Sequence, residues 1–180
     1  PYKLSAMIED MVEGEIVNEI FQKSVTECMK TIEILKAETI LKVVRFIKTA
    51  QKIYIIARGS TAWIAKDVEL QLQLLGYNAY MLSDSEVMKK SDKLFRHGDL
   101  IIIFSIKNST PELLLTAQNA KKVGANVVTC CCLPKTDLED YSDLSVLGYN
   151  QRNKTIEDFD IVSRLPLQII ARTLIDYLNL

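Results

Sequence analysis

From Gly14 to about Lys36 the apolar residues Val17, Phe21, Val25, Cys28, Ile32 and Leu35 recur at three- and four-residue steps. On a helix of 3.6 residues per turn that spacing lays one stripe along one face, so the stretch predicts a long amphipathic helix. A second helix is predicted from about Glu38 to Thr49, with Ile40, Val44 and Ile47 on one side. Neither belongs to an alternation of strands and helices. Residues 1–50 therefore read as a helical arm, a dimerisation element leading into a domain at 51–180.

After Ala50 the pattern changes. Lys52 to Ala57 (KIYIIA) is a buried strand, and Thr61 to Leu75 is a helix with Thr61, Ala65, Val68, Leu72 and Leu75 in line. Gly76 closes that helix as a C-cap glycine does. Asn78 to Leu82 is a short strand, followed by a polar helix opened by Asp84 or Ser85. Asp99 to Ser105 (DLIIIFS) is the most apolar strand. Pro111 to Val123 is a helix capped by Gly124, Val127 to Cys131 the next strand, and Asp143 to Leu147 the fifth. A last helix is predicted from about Glu157 to Leu178, with Ile161, Leu165, Ile169 and Leu178 facing the core. Apolar strands alternating with amphipathic helices predict a doubly wound α/β fold, a five-stranded parallel sheet covered on both faces. Ligands of such sheets sit beyond the carboxyl ends of the strands, here at residues 58–61, 83–86, 105–110 and 131–137.

Two of those loops are rich in hydroxyls. Ser60 and Thr61 stand at the first, and Ser105, Lys107, Asn108, Ser109 and Thr110 at the second. Thr110-Pro111-Glu112 is a strong helix start, with Thr as N-cap and Pro in the first turn. One such loop reads as a helix cap. Two at one sheet edge suit an anion, because helix N-termini present unpaired N–H groups and partial positive charge. Arg58 and Lys107 each read as an anion partner or a solvated side chain, with Lys107 better placed inside its loop.

Composition removes several alternatives. The formal charge is −1 over 180 residues, with no basic run of the kind a nucleic-acid binder shows. The longest apolar run, Leu100 to Ser105, is too short to span a bilayer, and residues 1–20 do not read as a signal peptide, so the cytosol is expected. Cys130, Cys131 and Cys132 are consecutive, which does not suit a tetrahedral ion; they read as small apolar residues of a buried strand in a reduced compartment. No metal or cofactor is expected. His97, the one histidine, leads into the third strand and is placed at the amino edge, opposite the loops. It would meet a site only in a neighbouring subunit. Glu69, Glu112 and Glu157 are conceivable general bases, and each also reads as a helix-surface acid.

The segments "RGST", "DLIIIFSIKNSTPE" and "AKKVGANVVTCCCLP" resemble the sugar isomerase (SIS) fold, a flavodoxin-like three-layer sandwich that binds phosphosugars. The family's Gly-x-Gly-x-Ser motif is matched by Ala57 to Thr61, and its Ser-x-Ser-Gly-x-Thr motif by Ser105 to Thr110. The leading helices and "IVSRLPLQIIARTLIDYL", with Ser163-Arg164, are most similar to the effector domain of RpiR-type bacterial regulators. The resemblance covers nearly the whole chain. It implies that Gly59, Thr61, Ser105 and Thr110 line a phosphate site, with Ser60, Asn108 and Ser109 as adjacent donors. Ala57 replaces a motif glycine, and Lys107-Asn108 replaces Ser-Gly; Asn tolerates the left-handed backbone such a turn needs. Lys107 either pairs with a phosphate or occupies the pocket.

The resemblance implies a sensor of a phosphorylated sugar or sugar derivative, a non-enzymatic homodimer or homotetramer. It would contact DNA only through a helix-turn-helix domain not in this chain, which reads as an isolated effector domain or a shortened form of a longer protein. The alternatives are an aldose–ketose phosphosugar isomerase and a structural dimerisation module with a closed pocket.

Overall fold

Strands that are apolar at every position have to be covered on both sides, and the sheet is built on that demand. A computed structural model describes residues 2–151 and 162–180. Its strands are β1 (Ile53–Ile56), β2 (Ala79–Leu82), β3 (Leu100–Phe104), β4 (Asn126–Cys131) and β5 (Leu144–Leu147). All neighbours are parallel and the order is β2-β1-β3-β4-β5. Every residue of β1 and β3 is buried, whereas the edge strands β2 and β5 are partly exposed. Ile53 stands level with Ala79 on one side and Leu100 on the other, so the carboxyl ends of β1 and β3 finish together.

The helices are α1 (Tyr2–Ile34), α2 (Ala37–Thr49), α3 (Ala62–Leu74), α4 (Ser85–Lys89), α5 (Pro111–Lys122) and α6 (Leu165–Leu178). Side chains alternate across the sheet with the period of two that a strand imposes. Ile53, Ile55, Leu100, Ile102, Phe104, Val128 and Cys130 face one core with α2, α3 and α6. Tyr54, Ile56, Ile101, Ile103 and Val127 face a second core with α4 and α5. Asp84 caps α4 by accepting the Val87 N–H at 2.9 Å. No described helix is long and apolar enough to cross a membrane.

The order and type of the expected elements hold, with three differences. First, α1 starts at Tyr2, well before Gly14. Its expected stripe exists but is uncovered: Val17, Phe21, Val25 and Ile32 are 45%, 60%, 53% and 59% exposed. The side of α1 turned to the domain is polar. Glu27, 1% exposed, accepts the Gln151 N–H at 3.0 Å and the Asn150 Nδ2–H at 3.3 Å. Thr31 accepts the Tyr149 N–H at 3.0 Å, and Lys30 Nζ lies 4.5 Å from the Tyr149 ring centre. Second, α2 is part of the core, with Ile40, Val43, Val44 and Ile47 buried. Third, α6 is described from Leu165, and its buried side is Pro166, Leu167, Ile170, Ala171, Leu174 and Ile175. Leu165, Ile169 and Leu178 are only partly buried, because α6 touches α1, α2, α3 and β4 at once and turns between them. Ile161 and Glu157 lie outside the described residues.

Cys130 and Cys131 are buried in β4, with Cys132 just beyond. Burial pushes the Cys130 and Cys131 thiols up, and Cys132 up to about 12. Between an ordinary thiol value near 9 and the raised folded value, the unfolded chain has lost the proton that the folded chain keeps. Folding stability is therefore intact below about pH 9 and falls above it, by about 1.4 kcal/mol per pH unit for each such thiol. Urea midpoints at pH 8, 9.5 and 10.5 test this, and Cys132→Ala is expected to flatten the decline. An unchanged slope in that variant would remove Cys132 from the account.

Candidate ligand-binding site

The helix that follows β1 (α3) packs on one face of the sheet, and the helix that follows β3 (α5) packs on the other. Where two adjacent parallel strands send their helices to opposite faces, the loops part and leave a crevice. Here the crevice is a cavity of about 380 Å³. Loop 58–61 forms one wall and loop 105–110 another; Phe104, Ile106 and Leu113 add apolar surface, and Val162 and Arg164 close the remaining side.

Gly59 has φ +56, the left-handed region that L side chains resist, and it turns the chain into a short 3₁₀ turn, Gly59–Thr61, ahead of α3. Thr61 and Thr110 stand at the N-caps of α3 and α5, yet neither side chain makes a capping hydrogen bond. In the second loop Ser105 Oγ accepts the Asn108 N–H at 3.0 Å, which leaves its own O–H to donate elsewhere. Asn108 has φ 54, so the expected tolerance of this turn for Asn is used. The Asn108 side chain, however, donates to Thr136 Oγ1 at 3.0 Å and is not part of the cavity wall. Asn108 bends and braces the loop.

The other expected site residues come together: Gly59, Ser60, Thr61, Ser105, Lys107, Ser109 and Thr110 all line the cavity. Loop 83–86 acts from behind, since the Ser83 carbonyl accepts from Arg58 Nη1 at 2.7 Å. Loop 131–137 supplies Thr136. Arg164, noted in the sequence for the family resemblance and expected inside a helix running from about Glu157, stands just before α6 and lines the cavity. Its Nη1 donates to the Val162 carbonyl, and its buried Nε has no hydrogen-bond partner among the described residues.

The described wall carries Arg58, Lys107 and Arg164, and no carboxylate. With the starts of α3 and α5 it forms a cationic, donor-rich cavity, which suits an anion bearing several acceptor oxygens. Of the conceivable bases, Glu69 and Glu112 are not on that wall, and Glu157 lies outside the described residues. Burial would raise the Glu69 carboxyl, but the Lys66 ammonium and the Met81 N–H more than offset this and hold it below its ordinary value. Its own backbone N–H and the Ser85 hydroxyl, 3.1 Å away, hold Glu112 below the usual range. His97 packs beside Gly124, where an added Cβ would come 3.1 Å from its ring, at the amino edge of the sheet. Among the described residues no cluster of His, Cys, Asp or Glu is placed to hold a metal ion.

Comparison with known proteins agrees with this fold. A curated HTH-type transcriptional regulator of Clostridium perfringens, itself uncharacterized, is 23% identical over 152 residues, 84% of this chain and 54% of its own. One from Thermotoga maritima is 26% identical over 159 residues, 88% of this chain and 56% of its own. The chain thus spans slightly more than half the length of these relatives. Among solved structures, the sugar isomerase domain of an RpiR transcription factor from Sphaerobacter thermophilus superposes with a TM-score of 0.82 at 15% identity, covering 91% of this chain and 89% of that one. The Vibrio vulnificus NanR protein complexed with ManNAc-6P also gives 0.82, at 20% identity over 96% of this chain and 66% of its own. Phosphoheptose isomerase from Neisseria gonorrhoeae gives 0.74, at 14% identity over 92% and 98%. Regulators and isomerases alike share the fold. The SIS-domain model matches residues 46–175, and the chain belongs to the SIS-domain family.

Proposed function

We propose that this chain is the sugar-phosphate-sensing domain of an RpiR-type regulator of carbohydrate metabolism, working in the cytoplasm and binding its ligand without turnover. The observation that carries the reading is the cavity at the β1/β3 switch point, which has three cationic side chains and several hydroxyls but no described carboxylate or histidine on its wall. A sensor needs only donors there, whereas isomerisation needs a group to move a proton beside the carbonyl. The regulator names of the curated relatives and the ManNAc-6P bound by NanR support the same choice. Ligand that prefers one arrangement of the assembly would shift the orientation of helix-turn-helix domains of the kind those relatives are named for.

Calorimetric titration with ManNAc-6P, glucose 6-phosphate and ribose 5-phosphate is expected to give saturable binding by at least one, with no new sugar in the NMR spectrum afterwards. Interconversion of an aldose and a ketose phosphate, abolished by Glu112→Gln, would establish the isomerase reading instead. That second reading is favoured by the match along 98% of the phosphoheptose isomerase.

The assembly is a homodimer formed through α1, whose exposed Val17, Phe21, Val25 and Ile32 follow helical spacing and would be covered by the same stripe of a second copy. Trp63, beside the groove between α3 and α6, offers apolar surface for a tetramer. Phe21→Glu is expected to raise the dimer dissociation constant about tenfold or more, since a charge replaces an aromatic side chain that the proposed dimer would bury. Light scattering behind size-exclusion chromatography reads this directly. A variant that stays as associated as the wild type would move the interface off α1.

A further inference from the structure

We infer that Arg164 reads the carbon skeleton of the bound ligand, donating to oxygens of the sugar rather than of the phosphate. The inference rests on the sensor reading above and deepens it. The hydroxyl donors of the cavity come from the loops after β1 and β3, which are neighbours in the sheet. Arg164 comes from elsewhere. It follows β5 at the far edge and enters with the chain that returns to α6, on the face of α2 and α3. Among the described residues, Val162 of the same stretch lines the cavity beside it. An apolar side chain beside a single forked donor matches the mixed surface of a sugar, not the dense donor set a phosphate takes.

The state of the guanidinium points the same way. Nη1 is held by the Val162 carbonyl, which fixes the plane of the group. The opposite edge carries Nε and Nη2, and Nε is buried with no partner among the described residues. A buried donor without an acceptor is costly, and the planar edge takes two oxygens side by side. Adjacent hydroxyls, or a carbonyl next to a hydroxyl, fit that edge. The ligand class is therefore a phosphorylated sugar with a pair of acceptor oxygens away from its phosphate.

Wild type, Arg164→Ala and Arg164→Lys would be titrated with inorganic phosphate and with ManNAc-6P, glucose 6-phosphate and ribose 5-phosphate. The expected result is that wild type binds at least one sugar phosphate more tightly than inorganic phosphate. Arg164→Ala should lose about tenfold or more of that affinity while inorganic phosphate changes less than about twofold, and Arg164→Lys, which keeps charge without the fork, should recover only part. Thermal melts without ligand identify the folded variants, and a folded Arg164→Lys suffices for the comparison. Equal loss for sugar phosphate and inorganic phosphate, or no loss for either, overturns the inference while leaving the sensor reading intact. A wild type that binds inorganic phosphate as well as every sugar phosphate also overturns it. A wild type that binds neither overturns both.

Discussion

Phe104→Ala is expected to lower the melting temperature by roughly 6–20 °C, because truncating a buried Phe costs about 3–5 kcal/mol and each kcal/mol moves a chain of this size by about 2–4 °C. Phe104 is the last residue of the central strand β3, 1% exposed, level with Cys130 of β4 and packed into the core under α2, α3 and α6. It also borders the cavity. Its neighbours are held from two sides, by the parallel ladder and by the helices above, so the hole left by Ala cannot close by a simple shift. Val87→Ala, at an exposed position of α4, serves as the control and should move the midpoint by no more than about 2 °C. A loss below about 3 °C for Phe104→Ala would mean that this end of the sheet is far looser than its burial indicates.

If the proposed function holds, the double change Ser105→Ala with Thr110→Val is expected to weaken binding of the sugar phosphate on the order of 100-fold or more, since a hydrogen bond to a charged group contributes about 1.5–3 kcal/mol. Ser105 Oγ accepts the Asn108 N–H that holds the left-handed turn, and in the proposed function its O–H is the donor offered to the ligand. Thr110→Val keeps shape while removing a hydroxyl that does not cap α5. The melting temperature without ligand should fall only a few degrees, as one loop hydrogen bond is lost. Calorimetry separates the two readouts. Binding weakened less than about threefold would place the phosphate elsewhere.

Much of this site could be read in the chain before its structure. Unbroken apolar runs at Ile53–Ile56 and Leu100–Phe104 specify buried parallel strands, and with two strands adjacent at a switch point, the loops after them have to share a crevice. Gly59 and Asn108 are residue types that accept positive φ, and both use it. What could not be read depends on long-range packing. Helical periodicity locates a stripe on α1 but does not say what covers it, and the domain covers a different side, that of Glu27 and Thr31, with the backbone of residues 149–151. On α6 the buried face is set by simultaneous contact with several elements, so a regular pattern extended from Glu157 misplaces that face and puts Arg164 inside a helix instead of on the cavity. The Asn108 side chain reads as a ligand donor until Thr136, 28 residues away, is seen to take it.

The polar seam between α1 and the domain has a mechanical consequence. Oily contacts slide, because dispersion has little directional preference, whereas hydrogen bonds fail within a fraction of an ångström and a few tens of degrees. Moving α1 along its axis by one residue, about 1.5 Å, would break the Glu27 and Thr31 bonds together. The same Asn150 amide that holds Glu27 also donates to the Ser163 carbonyl at 3.1 Å, one residue from Arg164. The long helix is thus pinned like a dowel rather than glued, and its pin is set in the stretch of chain that ends at the cavity.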